Sequence, residues 1–197
     1  MLAKSEVRAK FRRLRDEFVG AARPGELEQA LATQLAKVLT AAGPSTLPNS
    51  QTWVGYQRTS TEADPSVGIK KSNRNWAYPK VDGDDLRFFV PRDERAWVKS
   101  SWGILEPDPS QSDEIQIEDA SGVLVPGLVF DRNGTRIGSG KGFYDRALKN
   151  YQGVKVGVAL SVQVSDKPLP SEPFDVAMDV VVTEKTVIAV TKGQPYE

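Results

Sequence analysis

The stretch GVLVPGLVFDRNGTRIGSGKGFYDR, residues 122–146, decides the fold class. Its opening residues, Gly122–Val125, are continuously apolar, as expected of a strand buried on both faces. Pro126-Gly127 ends that run, glycines follow at 134, 138, 140 and 142, and a helix is predicted from about Gly142 to Asn150. A buried strand that passes through a glycine-rich loop into a helix is a unit of α/β architecture. Gly153–Leu160 and Met178–Thr183 repeat the buried-strand pattern. Thr52–Tyr56, Asn75–Tyr78, Leu86–Val90 and Val187–Val190 read as further short strands, with a helix near Pro65–Lys71 and a proline-containing loop over Ser101–Pro109. Strands alternating with helices predict a three-layer α/β/α domain with a largely parallel sheet.

The chain starts with helical patterning. Leu2, Val7, Phe11, Leu14 and Phe18 recur at helical spacing from residue 3 to about residue 19, and Arg8, Arg12 and Arg15 form a second stripe. After Arg23-Pro24-Gly25, a second helix directs Leu27, Leu31, Leu35, Val38 and Leu39 inward. Residues 1–43 are therefore expected to pack as a helical segment on a single domain spanning all 197 residues.

Composition removes several chemistries. The chain has no Cys and no His, which excludes disulfides, thiol nucleophiles, Ser-His-Asp catalysis and histidine-rich zinc sites. Lys and Arg number 26 and balance 26 Asp and Glu, so no field strong enough to hold duplex nucleic acid is expected. No stretch of ~18 apolar residues exists, and the charged N-terminus lacks a signal-peptide core, so no membrane partner and a cytoplasmic location are expected.

What remains suits phosphate chemistry. Glycines at alternate positions let backbone amides approach an anion without interference from Cβ, and the start of the following helix adds unpaired N–H groups. Lys141 and Arg136 supply mobile cations. The competing reading is a hairpin tip, Asn133-Gly134 being a favoured turn pair. Asp131 and Asp175 read as turn or cap residues.

The same string resembles the signature of the 5-formyltetrahydrofolate cyclo-ligase family, approximately P-G-x-x-F-D-x-x-G-x-R-x-G-x-G-x-G-[FY]-Y-D. Other family pieces follow in order: Lys4-x-x-x-Arg8, Glu62, Trp102-Gly-Ile-x-Glu-Pro107 and Asp175-x-x-x-Asp179. The resemblance implies a NagB/RpiA/CoA-transferase-like fold and an ATP- and Mg2+-dependent cyclisation of 5-formyltetrahydrofolate to 5,10-methenyltetrahydrofolate, with release of ADP and phosphate. It places ATP on Lys4, Arg8, Arg136, Gly138, Ser139, Gly140, Lys141, Gly142, Phe143, Tyr144 and Asp145, with Lys141, Tyr144 and Arg136 serving the chemistry. Magnesium is expected at Asp145 and Asp179, and the folate at Gln57, Glu62, Trp102 and Tyr144. A monomer is expected. Many relatives carry Arg where this chain has Ser139, and the alternative is a relative that binds nucleotide or folate with little or no turnover.

Overall fold

The computed structural model describes residues 3–41, 51–101 and 103–190. Helices α1 (Lys4–Ala21) and α2 (Glu26–Ala41) precede strand β1 (Thr52–Val54) and helix α3 (Ser66–Lys71). A hairpin of β2 (Asn75–Asp82) and β3 (Asp85–Pro91) follows, then a smaller one of β4 (Trp97–Lys99) and β5 (Leu105–Pro107), and strand β6 (Ser112–Ile115). The second half runs through β7 (Gly122–Pro126), β8 (Val129–Asp131), β9 (Arg136–Ile137), α4 (Phe143–Ala147), β10 (Val154–Val158), β11 (Val164–Ser165), β12 (Val180–Val182) and β13 (Val187–Ala189).

The main sheet has eight strands in the order β13-β12-β10-β7-β1-β2-β3-β6. The central run β12-β10-β7-β1-β2 is parallel throughout, and β13, β3 and β6 add antiparallel margins. The largely parallel α/β sheet is thus present. Side chains alternate across it, as the two-residue strand period requires. Trp53, Leu124, Val156, Val158 and Val182 face Leu31, Leu35, Val38 and Leu39 of α2 and Ile69 of α3. Val54, Ala77, Val123, Val125 and Val181 face the opposite layer, which contains Phe130, Leu148 and Met178. Each such aliphatic or aromatic side chain contributes about 1.5–3 kcal/mol by leaving water.

That second layer differs from the sequence expectation. Its helix α4 ends at Ala147 rather than near Asn150, and a three-stranded sheet, β11-β8-β9, covers much of the face. These strands span two or three residues each, too few for a period to be read. The segment expected as a loop over Ser101–Pro109 contains β5, whose Leu105–Pro107 pairs with Lys99–Trp97.

Helix α1 bridges the layers. Val7, Phe11 and Leu14 pack on Val129, Ile137 and Leu169 at the small sheet, while Phe18 and Val19 join the cluster around α2. Its first two turns therefore lie beside the segment after β9. Leu2 lies outside the described residues. Arg15, from the arginine stripe of α1, is buried beside Asp16 at 3.3 Å.

The small sheet is seated on the main one by Phe130. A Cβ at Gly127 would stand 2.6 Å from that ring, and one at Gly157 would stand 2.5 Å from it. Glycine is required at both positions by this close approach, independently of backbone conformation. Replacement Gly157→Ala is expected to cost about 1–3 kcal/mol through overpacking and to lower Tm by roughly 2–10 °C. Calorimetric unfolding measures this, and an unchanged Tm would refute the seating of Phe130.

Candidate active site

Strands β1 and β7 run parallel with Val54 beside Val123, so Gly55–Glu62 and Pro126-Gly127 emerge at the same edge of the sheet. In open α/β sheets the crevice outside the carboxyl ends of the strands receives ligands. Two features meet there, a glycine run and a cleft.

The glycine run has two parts with different physics. In the first, the buried Asp131 carboxylate accepts from the amides of Asn133 and Thr135, both at 2.9 Å, and of Leu169 at 2.9 Å. Gly134 takes φ 80°, so this part is a hairpin tip and Asp131 is its turn residue. The second part, residues 138–142, is the phosphate candidate. Gly140 and Gly142 have φ of 105° and 70°, which side chains with a Cβ adopt at a cost. Among the described residues, the main-chain N–H groups of Ser139, Gly140 and Gly142 have no hydrogen-bond acceptor. Successive unpaired amides in such conformations form an anion-binding concavity. Helix α4, with five residues, adds only a small dipole, so the loop's own amides carry the attraction.

Cations surround the loop from three directions. Arg8 Nε donates to the Gly138 carbonyl at 3.1 Å, and its guanidinium lies over Gly140. One turn earlier on α1, Lys4 Nζ donates to Asp175 at 2.7 Å and to Glu172. Burial alone would lower the Lys4 pKa, but its bonds to these two carboxylates outweigh that and hold it above the usual lysine value. Lys141 is exposed on the loop itself. Ser139 is exposed there too, and the Arg8 guanidinium stands near it from another element.

Arg136 is not the mobile cation expected from the sequence. Its side chain is only 5% exposed, and Nη2 pairs with Asp145 at 2.9 Å. It lies beneath the loop, where a Cβ at Gly138 would stand 2.7 Å from Nη1. The guanidinium also stands 5.7 Å from the Tyr144 ring centroid. Arg136 therefore props the loop from inside. Arg146, which the sequence reading did not single out, ties the loop from outside. Its Nη1 donates to the Lys141 carbonyl at 3.0 Å, and its other nitrogens reach Asp85 and the Asp84 carbonyl at the β2–β3 turn. The ring of Phe143 lies 5.5 Å from the same guanidinium. Arg146 was in view in the glycine string, but its partner lies 61 residues away, and no local pattern announces that.

The two carboxylates expected to share magnesium have separate surroundings. Asp145 accepts from Arg136 through one oxygen and from the Val176 amide, at 3.3 Å, through the other. Asp179 accepts from the Lys155 amide and pairs with Lys155 Nζ, both at 2.9 Å. Strand register puts Val180 level with Leu124 by way of Val156, so Asp179 lies near the start of β7. Arg136, the partner of Asp145, contacts the carbonyl of Pro126 at that strand's end. Three residues of strand separate those levels, roughly 10 Å. Among the described residues, no three Asp or Glu groups cluster as a metal cage. Mg2+ needs only one or two carboxylates when phosphates supply the other oxygens. Each carboxylate already holds one cation and one backbone amide, Asp145 through Arg136 and Val176 and Asp179 through the two nitrogens of Lys155.

A cleft of about 440 Å³ opens where β1 leads into α3, lined by Tyr56, Gln57, Arg58, Thr59, Ile69, Lys70 and Tyr78, among others. Glu62 accepts from the Thr59 amide at 2.8 Å, which fixes its carboxylate in the β1–α3 loop. Burial pushes the Tyr144 phenol well above its ordinary value, the Glu62 charge adds to the rise, and Arg136 opposes it. Tyr56 is raised by the same combination of burial and Glu62. The Glu62 charge is thus felt at Tyr144, at the start of α4. Burial pushes Tyr78, which packs edge-on against Trp97 at 4.8 Å, up to about 12. Trp102 lies outside the described residues.

A model of the 5-formyltetrahydrofolate cyclo-ligase family matches residues 69–184. The chain is 39% identical over 90 residues to the 5-formyltetrahydrofolate cyclo-ligase of Mycolicibacterium smegmatis, covering 45% of this chain and 46% of that one. It is 38% identical over 106 residues to the Escherichia coli protein of the same name, covering 52% and 58%. The matched stretches thus span about half the length of these curated relatives. The solved structure of 5,10-methenyltetrahydrofolate synthetase from Aquifex aeolicus superimposes with a TM-score of 0.76 at 31% identity, over 100% of this chain and 97% of that one. The family model covers more than half of the chain, including the glycine run, its buried Arg136–Asp145 pair and the Lys155–Asp179 staple, and the chain belongs to the 5-formyltetrahydrofolate cyclo-ligase family.

Proposed function

We propose that this chain catalyses the ATP- and Mg2+-dependent closure of 5-formyltetrahydrofolate to 5,10-methenyltetrahydrofolate, with release of ADP and phosphate. The observation that carries this reading is the set of amides at Ser139, Gly140 and Gly142, without acceptors among the described residues, beneath the Arg8 guanidinium. In this reaction the formyl oxygen accepts the γ-phosphoryl group of ATP, and the neighbouring amine displaces phosphate as the ring closes. Such chemistry depends on positioning and charge neutralisation and needs no protein nucleophile, which suits a chain without Cys or His.

The residues divide the work by position. The amides of Ser139, Gly140 and Gly142 receive the phosphate oxygens, with Arg8, Lys4 and Lys141 neutralising their charge. Arg136 contributes as a fixed positive charge beneath the loop. Asp145 would help hold Mg2+, which would supply positive charge against the charge that develops on the transferred phosphoryl group. Gln57 and Glu62 offer an acceptor and donors for the ring nitrogens and amino group of a pterin. Tyr144, between the two ligands, stays protonated at neutral pH and can donate to the formyl oxygen or the transferred phosphoryl group.

Formation of the methenyl product, followed by its absorbance, should require both ATP and Mg2+. Lys141→Ala should lower kcat/KM for ATP by about 10–100-fold, and Asp145→Ala by at least as much, as expected for removing a charge-assisted contact. Nucleotide binding by calorimetry without any product would replace this reading with a binding protein that has lost turnover.

Alkaline titration tests the tyrosines. The folded-state values of Tyr56, Tyr78, Tyr144 and Tyr151 are raised above the ordinary value of 10.0. The stability they confer is therefore complete below pH about 10 and lost as pH rises through the folded values. Phenolate absorbance of the folded protein should lag that of the urea-unfolded chain between about pH 10 and 12, and stability should fall over the same window. Coincident titration curves would show that these hydroxyls are open to water.

A further inference from the structure

We propose that Asp175 is a positioning residue of the nucleotide site, acting through Lys4. The inference rests on the reading of residues 138–142 as the phosphate loop and adds a residue outside it.

Four contacts close a ring through three segments far apart in the chain. Lys4 Nζ donates to Asp175 Oδ2 at 2.7 Å. The next amide, Val176 N–H, donates to Asp145 Oδ1 at 3.3 Å. Asp145 pairs with Arg136 beneath Gly138. Arg8, one turn along from Lys4, returns to the Gly138 carbonyl at 3.1 Å. Helix α1 is thus held over the loop at two points, directly by Arg8 and indirectly by Lys4 through residues 172–176.

Asp175 is itself fixed. Its Oδ2 also accepts from the Glu172 amide at 2.7 Å, and its own amide donates to the Glu172 carbonyl at 3.0 Å. The Lys4 and Asp175 side chains are 19% and 13% exposed, whereas Glu172, the second carboxylate on Lys4, is 52% exposed. An ammonium has three donors in tetrahedral array. Asp175 and Glu172 take two, which leaves the third for a phosphate oxygen. Without Asp175 the long lysine side chain regains rotamer freedom, and that freedom must be lost again when nucleotide binds. Asp175 thereby sharpens a cation rather than cancelling it, because Asp145 anchors the same segment to the loop.

The test is calorimetric binding of Mg-ATP to the full chain, joined to steady-state kinetics. Asp175→Asn should weaken ATP binding by about 5–20-fold, the effect of losing one charge-assisted contact. It should raise KM for ATP far more than it lowers kcat, and leave KM for the formylated substrate in place. Lys4→Met should weaken ATP by a similar factor, and the double variant should be no worse than Lys4→Met alone. Unchanged binding by Asp175→Asn, or losses that multiply in the double variant, overturns the inference while wild-type binding upholds the phosphate loop. Failure of the wild-type chain to bind Mg-ATP overturns both. Should Asp175→Asn fail to fold, Asp175→Ser serves instead, since it keeps a short acceptor near the Glu172 amide and removes the charge on Lys4. It should weaken ATP by a similar factor, and wild-type affinity in that variant overturns the proposal.

Discussion

An arginine buried beneath a glycine loop must have a carboxylate partner, and the Arg136–Asp145 pair at 2.9 Å supplies that counter-charge, while the buried Nε has no hydrogen-bond partner among the described residues. Removing a guanidinium from water costs several kcal/mol unless its charge and donors are satisfied. The pair therefore fixes how the loop can run. Arg136 leaves β9 pointing under Gly138, and Asp145 reaches back from the first turn of α4 to meet it. Everything between them must arch over the guanidinium. That arch turns the amides of Ser139, Gly140 and Gly142 outward, without acceptors among the described residues. The internal charge and the external amides are consequences of one geometric requirement.

The same pair organises what lies further out. Asp145 uses its second oxygen to hold the Val176 amide, which brings residues 172–176 against the first turn of α1. Helix α1 is drawn in from the other side by apolar packing of Val7 and Phe11 on Val129, Ile137 and Leu169. Hydrophobic burial sets the position of the helix, and ion pairs set its rotation, since burial has no direction of its own. Phe130, pressed onto Gly127 and Gly157, keeps the small sheet and its loop at a fixed height above the main one.

Much of this was legible in the chain. The apolar run Gly122–Val125 and the buried-type strand Val154–Val158 stand in the parallel core, and the spacing of Leu31, Leu35, Val38 and Leu39 describes the buried face of α2. The glycine string marks the candidate site, and its division into a hairpin tip and an anion cradle follows Asn133-Gly134 and Gly138–Gly142 respectively. Short strands of two or three residues, such as β9 and β11, could not be read, because so few residues carry no period. Nor could the strand status of Leu105–Pro107, which depends on pairing with Trp97–Lys99.

The α/β class, the inventory of usable chemical groups and the place of the glycine run can be read along the chain, since these depend on local pattern and composition. What each charge does is set by folding. It turned Arg136 from a mobile cation into a buried prop, buried Arg15, joined Asp179 to Lys155 across β10 and β12, and engaged Lys4 with Asp175. The reason is physical: a charge acts through its partner and its exposure, and both are fixed by segments that meet only when the chain folds.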